Sequence, residues 1–105
     1  MDKRTKRKIV LLAAERVELE ENNFCCCALE AAQEIITGRE IPNHMGMMPW
    51  NYGEVAEDFA EFYKKEVGAS WFPPWDRELM LEFPSKESRS AVRVLLLLTF
   101  AESLR

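Results

Sequence analysis

Histidine is nearly missing from this chain of 105 residues: His44 stands alone. It sits between Asn43 and Met45 in a stretch that reads as a loop, and no serine, cysteine or acid is spaced to complete a catalytic set with it. The Glu-x-x-His pair that di-metal helical bundles use is also absent. Separated cysteine pairs are lacking as well. Cys25, Cys26 and Cys27 are consecutive, and successive helical residues diverge by about 100°, so the three thiols point in different directions. Zinc needs its ligands in spaced pairs. The cysteines therefore read as small apolar fillers at a helix–helix contact. Adjacent cysteines in odd number argue for free thiols and a reducing compartment.

A long apolar run is missing too. The most apolar stretch, Ala91 to Ala101, is broken only by Arg93 and Thr99, and it is well short of the roughly 20 residues that span a bilayer. Ile9 to Ala14 follows a basic start but soon meets Glu15, Arg16 and Glu18, which excludes a signal peptide. No internal repeat and no low-complexity segment occur. The expectation is a cytoplasmic protein with no membrane partner.

What is present suits one domain, residues 1–105, with 48% hydrophobic and 10% aromatic residues to fill a core. Charge is unevenly placed. Lys3, Arg4, Lys6, Arg7 and Lys8 are five of the 14 basic residues, against Asp2 alone among the acids. Residues 9–105 then hold 9 basic and 17 acidic residues, a net of −8. A basic N-terminal arm, residues 1–8, thus precedes an acidic body. The body repels phosphate, so direct nucleic-acid binding is expected only through the arm.

Periodicity predicts helices. Ile9, Leu12, Ala13 and Val17 place a first helix over about Thr5 to Glu21, ended by Asn22-Asn23. Asn23 caps a second over Phe24 to Thr37, with Phe24, Cys27, Ala28, Ala31, Ile35 and Ile36 as its apolar positions, stopped by Gly38. Gly38 to Tyr52 is a loop holding Met45, Met47, Met48 and Trp50. A third helix is capped at Asn51, with Glu54 in a capping-box position, and Val55, Ala56, Phe59, Ala60, Tyr63 and Val67 form its apolar face before Gly68. Ala69 to Pro84 contains Trp71-Phe72-Pro73-Pro74-Trp75; Asp76 to Phe83 reads as a short helix or a short strand. Ser85 caps a final helix to Leu104. Apolar nearly all round, this helix is expected to be buried, with Leu95 and Leu98 in the core. The expected architecture is an all-α bundle of four main helices around a buried C-terminal helix, with Trp/Pro-rich loops.

Two surfaces are candidates for binding. Glu54, Glu57, Asp58 and Glu61 stand at i, i+3, i+4 and i+7, one stripe opposite the apolar face of the third helix. Such a stripe is either a solvated face or an acidic patch that meets a basic partner. Trp50, Trp71 and Trp75 lie in loops, where they serve either as a lid over the core or as anchors for a partner. A helix-turn-helix reading fails on the second helix, which offers Gln33 but no basic residue before Arg39. No residue is assigned to catalysis, to a metal or to a cofactor.

At Phe24-Cys-Cys-Cys-Ala-Leu and again from Arg93 to Glu102, the chain resembles small uncharacterised helical proteins encoded by bacteriophages. The resemblance covers about half the chain and implies a phage or prophage origin. Small acidic phage proteins include inhibitors of host defence, anti-CRISPR proteins among them, which act by binding. By that analogy the expected function is a non-catalytic protein-binding module acting through its acidic surface on a basic, nucleic-acid-handling host protein. The alternatives are a small nucleic-acid-associated protein using Lys3, Arg4, Lys6, Arg7 and Lys8, and a cysteine-centred metal or redox protein.

Overall fold

The computed structural model describes residues 1–21, 25–39, 53–67 and 85–105. The loop carrying His44 and Trp50, the segment with Trp71, Trp75 and the expected short helix or strand, and the caps Asn22, Asn23 and Asn51 lie outside the described residues. Among the described residues there are four helices and no strand: α1, Lys3–Glu18; α2, Cys25–Thr37; α3, Glu54–Val67; and α4, Lys86–Ser103. The expected all-α bundle of four main helices is what forms.

The first helix starts earlier and ends earlier than its apolar spacing suggests. Asp2 is the cap, its carboxylate accepting from the Thr5 N–H at 2.7 Å. The basic stretch expected as an arm is therefore helical from Lys3 onward. At the other end Glu20 takes a left-handed conformation, φ 60°. The Glu21 N–H then donates back to the Arg16 carbonyl and the Glu20 N–H to the Val17 carbonyl, the bond pair of a Schellman closure. An ion pair between Arg16 and Glu21 at 3.0 Å fastens the same turn. Glycine or asparagine is the usual residue there, because Cβ crowds the carbonyl in this conformation.

The start of α3 is held from another helix. The Val55 N–H donates to Oε1 of Gln33 on α2 at 3.3 Å, which satisfies one of the free amides at the helix start. Gln33, the residue of α2 best suited to reading bases, thus has an internal partner.

The expectation of a central, buried C-terminal helix is corrected. Leu97, Phe100 and Ala101 of α4 are buried, but Leu95 is 65% exposed and Leu98 42% exposed. The centre belongs to α1, which packs most extensively against α4 and α2. Its buried residues Ile9, Val10, Ala13, Ala14 and Val17 make a face wider than a single seam, so one helix serves two neighbours. On α2 the matching face is small, with Cys25, Ala28, Leu29 and Ala32 buried, which lets backbones approach closely. Phe59 of α3 meets Phe100 of α4 with ring centroids 5.5 Å apart, and Phe62 adds a second contact to Phe100 at 5.2 Å. Both are tilted arrangements of the kind aromatic quadrupoles favour.

Core truncations should follow burial rather than hydropathy. Phe59→Ala should cost about 3–5 kcal/mol and Leu97→Ala about 2–5 kcal/mol in urea unfolding. Leu95→Ala should stay within about 0.5 kcal/mol of the parent. A large loss at Leu95 in the monomer would place α4 back at the centre.

Candidate functional site

The acidic stripe lies on the outward side of α3. Val55, Ala56, Phe59 and Tyr63 take the core face, and the 3.6-residue repeat then leaves Glu54, Glu57, Asp58 and Glu61 pointing away from it. Two of the carboxylates have a partner from another helix. Lys6 of α1 donates from Nζ to Oδ2 of Asp58 at 2.6 Å and stands 3.7 Å from Oε1 of Glu54. Glu57 and Glu61 are exposed and form no ion pair with any described residue. The stripe is thus two carboxylates braced by a lysine and two left to solvent.

The sequence pattern hides this division. It groups Lys6 with its basic neighbours, yet Lys6 stands three, four and seven residues before Ile9, Val10 and Ala13. It therefore shares the buried face of α1 and emerges where α3 begins, its side chain only 17% exposed. Spacing to that face is the signal that separates Lys6 from Lys3, Arg4 and Lys8, which are exposed.

Both helices carry charge at their starts, with opposite consequences. A helix N-terminus is electropositive, so acids there stabilise and bases oppose. On α3, Glu54 and Glu57 occupy the first turn and Lys64 and Lys65 the last, in agreement with the dipole. The first turn of α1 has no acid, and Lys3–Arg7 and Arg4–Lys8 are like-charged pairs one turn apart. Asp2 and the Lys6 bridge offset part of this conflict. The Lys6 ammonium is pushed above the ordinary lysine value, first by its hydrogen bond to Asp58, against the opposing effect of partial burial. The Asp2 carboxyl is held below its ordinary value, first by the Thr5 N–H. On α2 the Glu30 carboxyl is raised, first by burial and then by the charge of Glu34 one turn on.

The remaining expected features are not gathered at this face. Trp50, Trp71 and Trp75 lie outside the described residues. Cys25 is buried, its thiol 3.9 Å from the Arg93 carbonyl on α4, and Cys27 is half-buried. Among the described residues no three metal-ligating side chains are grouped, and no helix is long and apolar enough to cross a membrane. Comparison with protein-family models, with curated proteins and with solved structures gives no match.

Two substitutions test these charges. Lys6→Met should lower unfolding free energy by about 1 kcal/mol, the worth of a charged hydrogen bond discounted for its exposure. Because the folded-state value is raised, that contribution is complete below the ordinary lysine value of 10.5 and is lost as pH climbs through the higher folded value. Urea unfolding of parent and variant should therefore differ at neutral pH and converge in strong alkali. Glu30→Gln should stabilise at neutral pH by a few tenths of a kcal/mol. A raised carboxyl disfavours folding above its folded value and not below its unfolded one, so this gain should vanish on acidification.

Proposed function

We propose that the chain is a non-catalytic protein-binding module, and that the outward row of α3 is the surface it offers to a basic partner. The observation that carries this reading is the pair Glu57 and Glu61, exposed and one turn apart on a helix whose start is held by Gln33 and Lys6. A row fixed in this way loses little freedom when arginines or lysines dock on it, and paired charges set both encounter rate and register. By analogy with the phage proteins that the sequence resembles, the partner is a cytoplasmic host protein whose basic surface ordinarily holds nucleic acid, and the carboxylates take the place of phosphates. Inhibition of a host defence system is the biological role this suggests.

One observation supports a second reading. Lys3, Arg4, Arg7 and Lys8 form no ion pair with a described residue, so the first two turns of α1 keep four unneutralised cations for a phosphate backbone. The two readings separate by mutation. After capture of a bacterial partner on the immobilised chain, affinity is measured for the parent, for Glu57→Lys/Glu61→Lys and for Arg4→Glu/Lys8→Glu, at low and high salt. The first reading expects at least a tenfold loss in the Glu57/Glu61 variant, about 1.4 kcal/mol, and little change in the other. Asp58 is left intact, because reversing it would also break the bridge to Lys6. Equal affinity of the parent and the Glu57/Glu61 variant reduces the row to a solubility feature.

A further inference from the structure

The outward side of α1 is a single row whose charge changes sign halfway. Arg4, Lys8, Leu11, Glu15 and Glu18 stand at i, i+4, i+7, i+11 and i+14, and all five are exposed. That spacing keeps them on one stripe, opposite the buried Ile9, Val10, Ala13, Ala14 and Val17. Leu11 is the midpoint, with both cations before it and both carboxylates after it. None of the four charges forms an ion pair with a described residue. Their order opposes the helix dipole at both ends. Arg4 lies in the electropositive first turn, which holds no acid, and Glu18 closes the electronegative last turn. Arg16, the base of that turn, is off the row and pairs with Glu21. Arg4 and Lys8 also repel each other across one turn, as do Glu15 and Glu18.

We propose that this row is the contact of a symmetric antiparallel dimer and that its occupant is the same row of a second copy. A two-fold axis through Leu11, perpendicular to α1, lays the row on its own image in reverse. Arg4 then faces Glu18 of the second copy, Lys8 faces Glu15, and Leu11 meets Leu11. Each charged pairing occurs twice, so four opposite-charge pairs form. A parallel alignment sets like on like, which fixes the direction. A different partner would have to present acids, an apolar residue and bases in that order at helical spacing, which is what the reversed row of a second copy presents. The other outward rows lack this property. Glu57 and Glu61 of α3 meet their own kind in either direction, and Leu95 and Leu98 of α4 have no charge to fix a register. Reversal also sets the start of each α1 beside the end of the other, so the charges that oppose their own dipole suit that of the neighbour.

The dimer is a weak one. The row from Arg4 to Glu18 is about 21 Å long at 1.5 Å per residue, so a single helix pair falls at the small end of specific interfaces. Its selectivity comes from the register of charges rather than from area. The contact leaves Glu57 and Glu61 of α3 outside it and engages Arg4 and Lys8, the cations that the phosphate reading assigns to nucleic acid. Glu15 and Glu18 separate these uses: they repel a phosphate backbone, whereas a second copy requires them.

The test is sedimentation equilibrium of the full chain from about 10 μM to about 1 mM, at about 50 mM salt. The expected result is a mass rising from 12.2 kDa toward twice that value. Arg4→Glu/Lys8→Glu and Glu15→Lys/Glu18→Lys each leave a row of one sign and should remain monomeric. An equimolar mixture of the two should associate at least as readily as the parent, because each row is then the complement of the other. The helical signal and unfolding midpoint of each variant alone show that it is folded. Combining all four substitutions in one chain restores the two-fold pattern with its signs exchanged, and that chain should dimerise again. Glu57→Lys/Glu61→Lys should self-associate like the parent, so failure here and failure of the binding role of α3 remain distinguishable. A constant mass of 12.2 kDa for the parent, single-sign variants that dimerise like the parent, or a mixture that stays monomeric overturns the proposal.

Discussion

Burial of Ile9, Val10, Ala13, Ala14 and Val17 on one wide face of α1 is the interaction on which the remaining packing depends. A face of that width accommodates two neighbours, and α2 and α4 take those places. With α1 enclosed between them, α3 closes the bundle through Phe59 and Phe62 against Phe100, and through the bond from its first turn to Gln33. Every helix thus has its apolar side directed by α1 or by a helix that α1 has placed. What the helices turn outward is set by what this arrangement leaves over.

The electrostatic consequence falls at the start of α1. Its cations oppose its own dipole and one another, a conflict of roughly 0.3–1 kcal/mol per charge at exposed positions. Lys6 converts one of them into a stabilising contact because it shares the buried face and meets Asp58 and Glu54 where α3 starts. The acids there already suit the dipole of α3, so the bridge joins two helix starts whose charges would be ill matched in one case and well matched in the other. It also engages two of the four carboxylates of the acidic row and leaves Glu57 and Glu61 as its open end.

The four helices were legible in the sequence, and α3 most fully, because it is one-sided with a clean period and one-sidedness is what a repeat of 3.6 residues encodes. The third helix was read with Val55, Ala56, Phe59 and Tyr63 toward the core, where they lie, and its acids were read as outward. Three features escaped, the first being the face of α2, where Ile35 and Ile36 were expected with the core and are exposed while Cys25, Leu29 and Ala32 are buried. The leucines of α4 suggest burial all round, but composition cannot supply neighbours: a leucine is buried only where another element lies over it, and none of the other described helices covers Leu95, which is 65% exposed. The end of α1 escaped because Glu20 holds a conformation that its residue type does not advertise. At the candidate site the carboxylate row could be read from spacing alone. The lysine that divides it could not, since its partners are 48 and 52 residues away.

The outward side of α3 carries carboxylates, and that of α4 carries Leu95 and Leu98. Neither Glu57 and Glu61 on α3 nor Leu95 and Leu98 on α4 reach the core, so substitutions there should leave stability nearly unchanged and combine additively, as distant surface sites do. Glu57 lies in the first turn of α3, where the dipole favours it, whereas Glu61 lies beyond that turn and repels Glu57 from one turn away. Leu95 and Leu98 belong with Leu11, Leu19, Ile35 and Ile36, which are exposed on the other helices or at their ends, and apolar side chains placed singly on a surface are ordinary in a small domain.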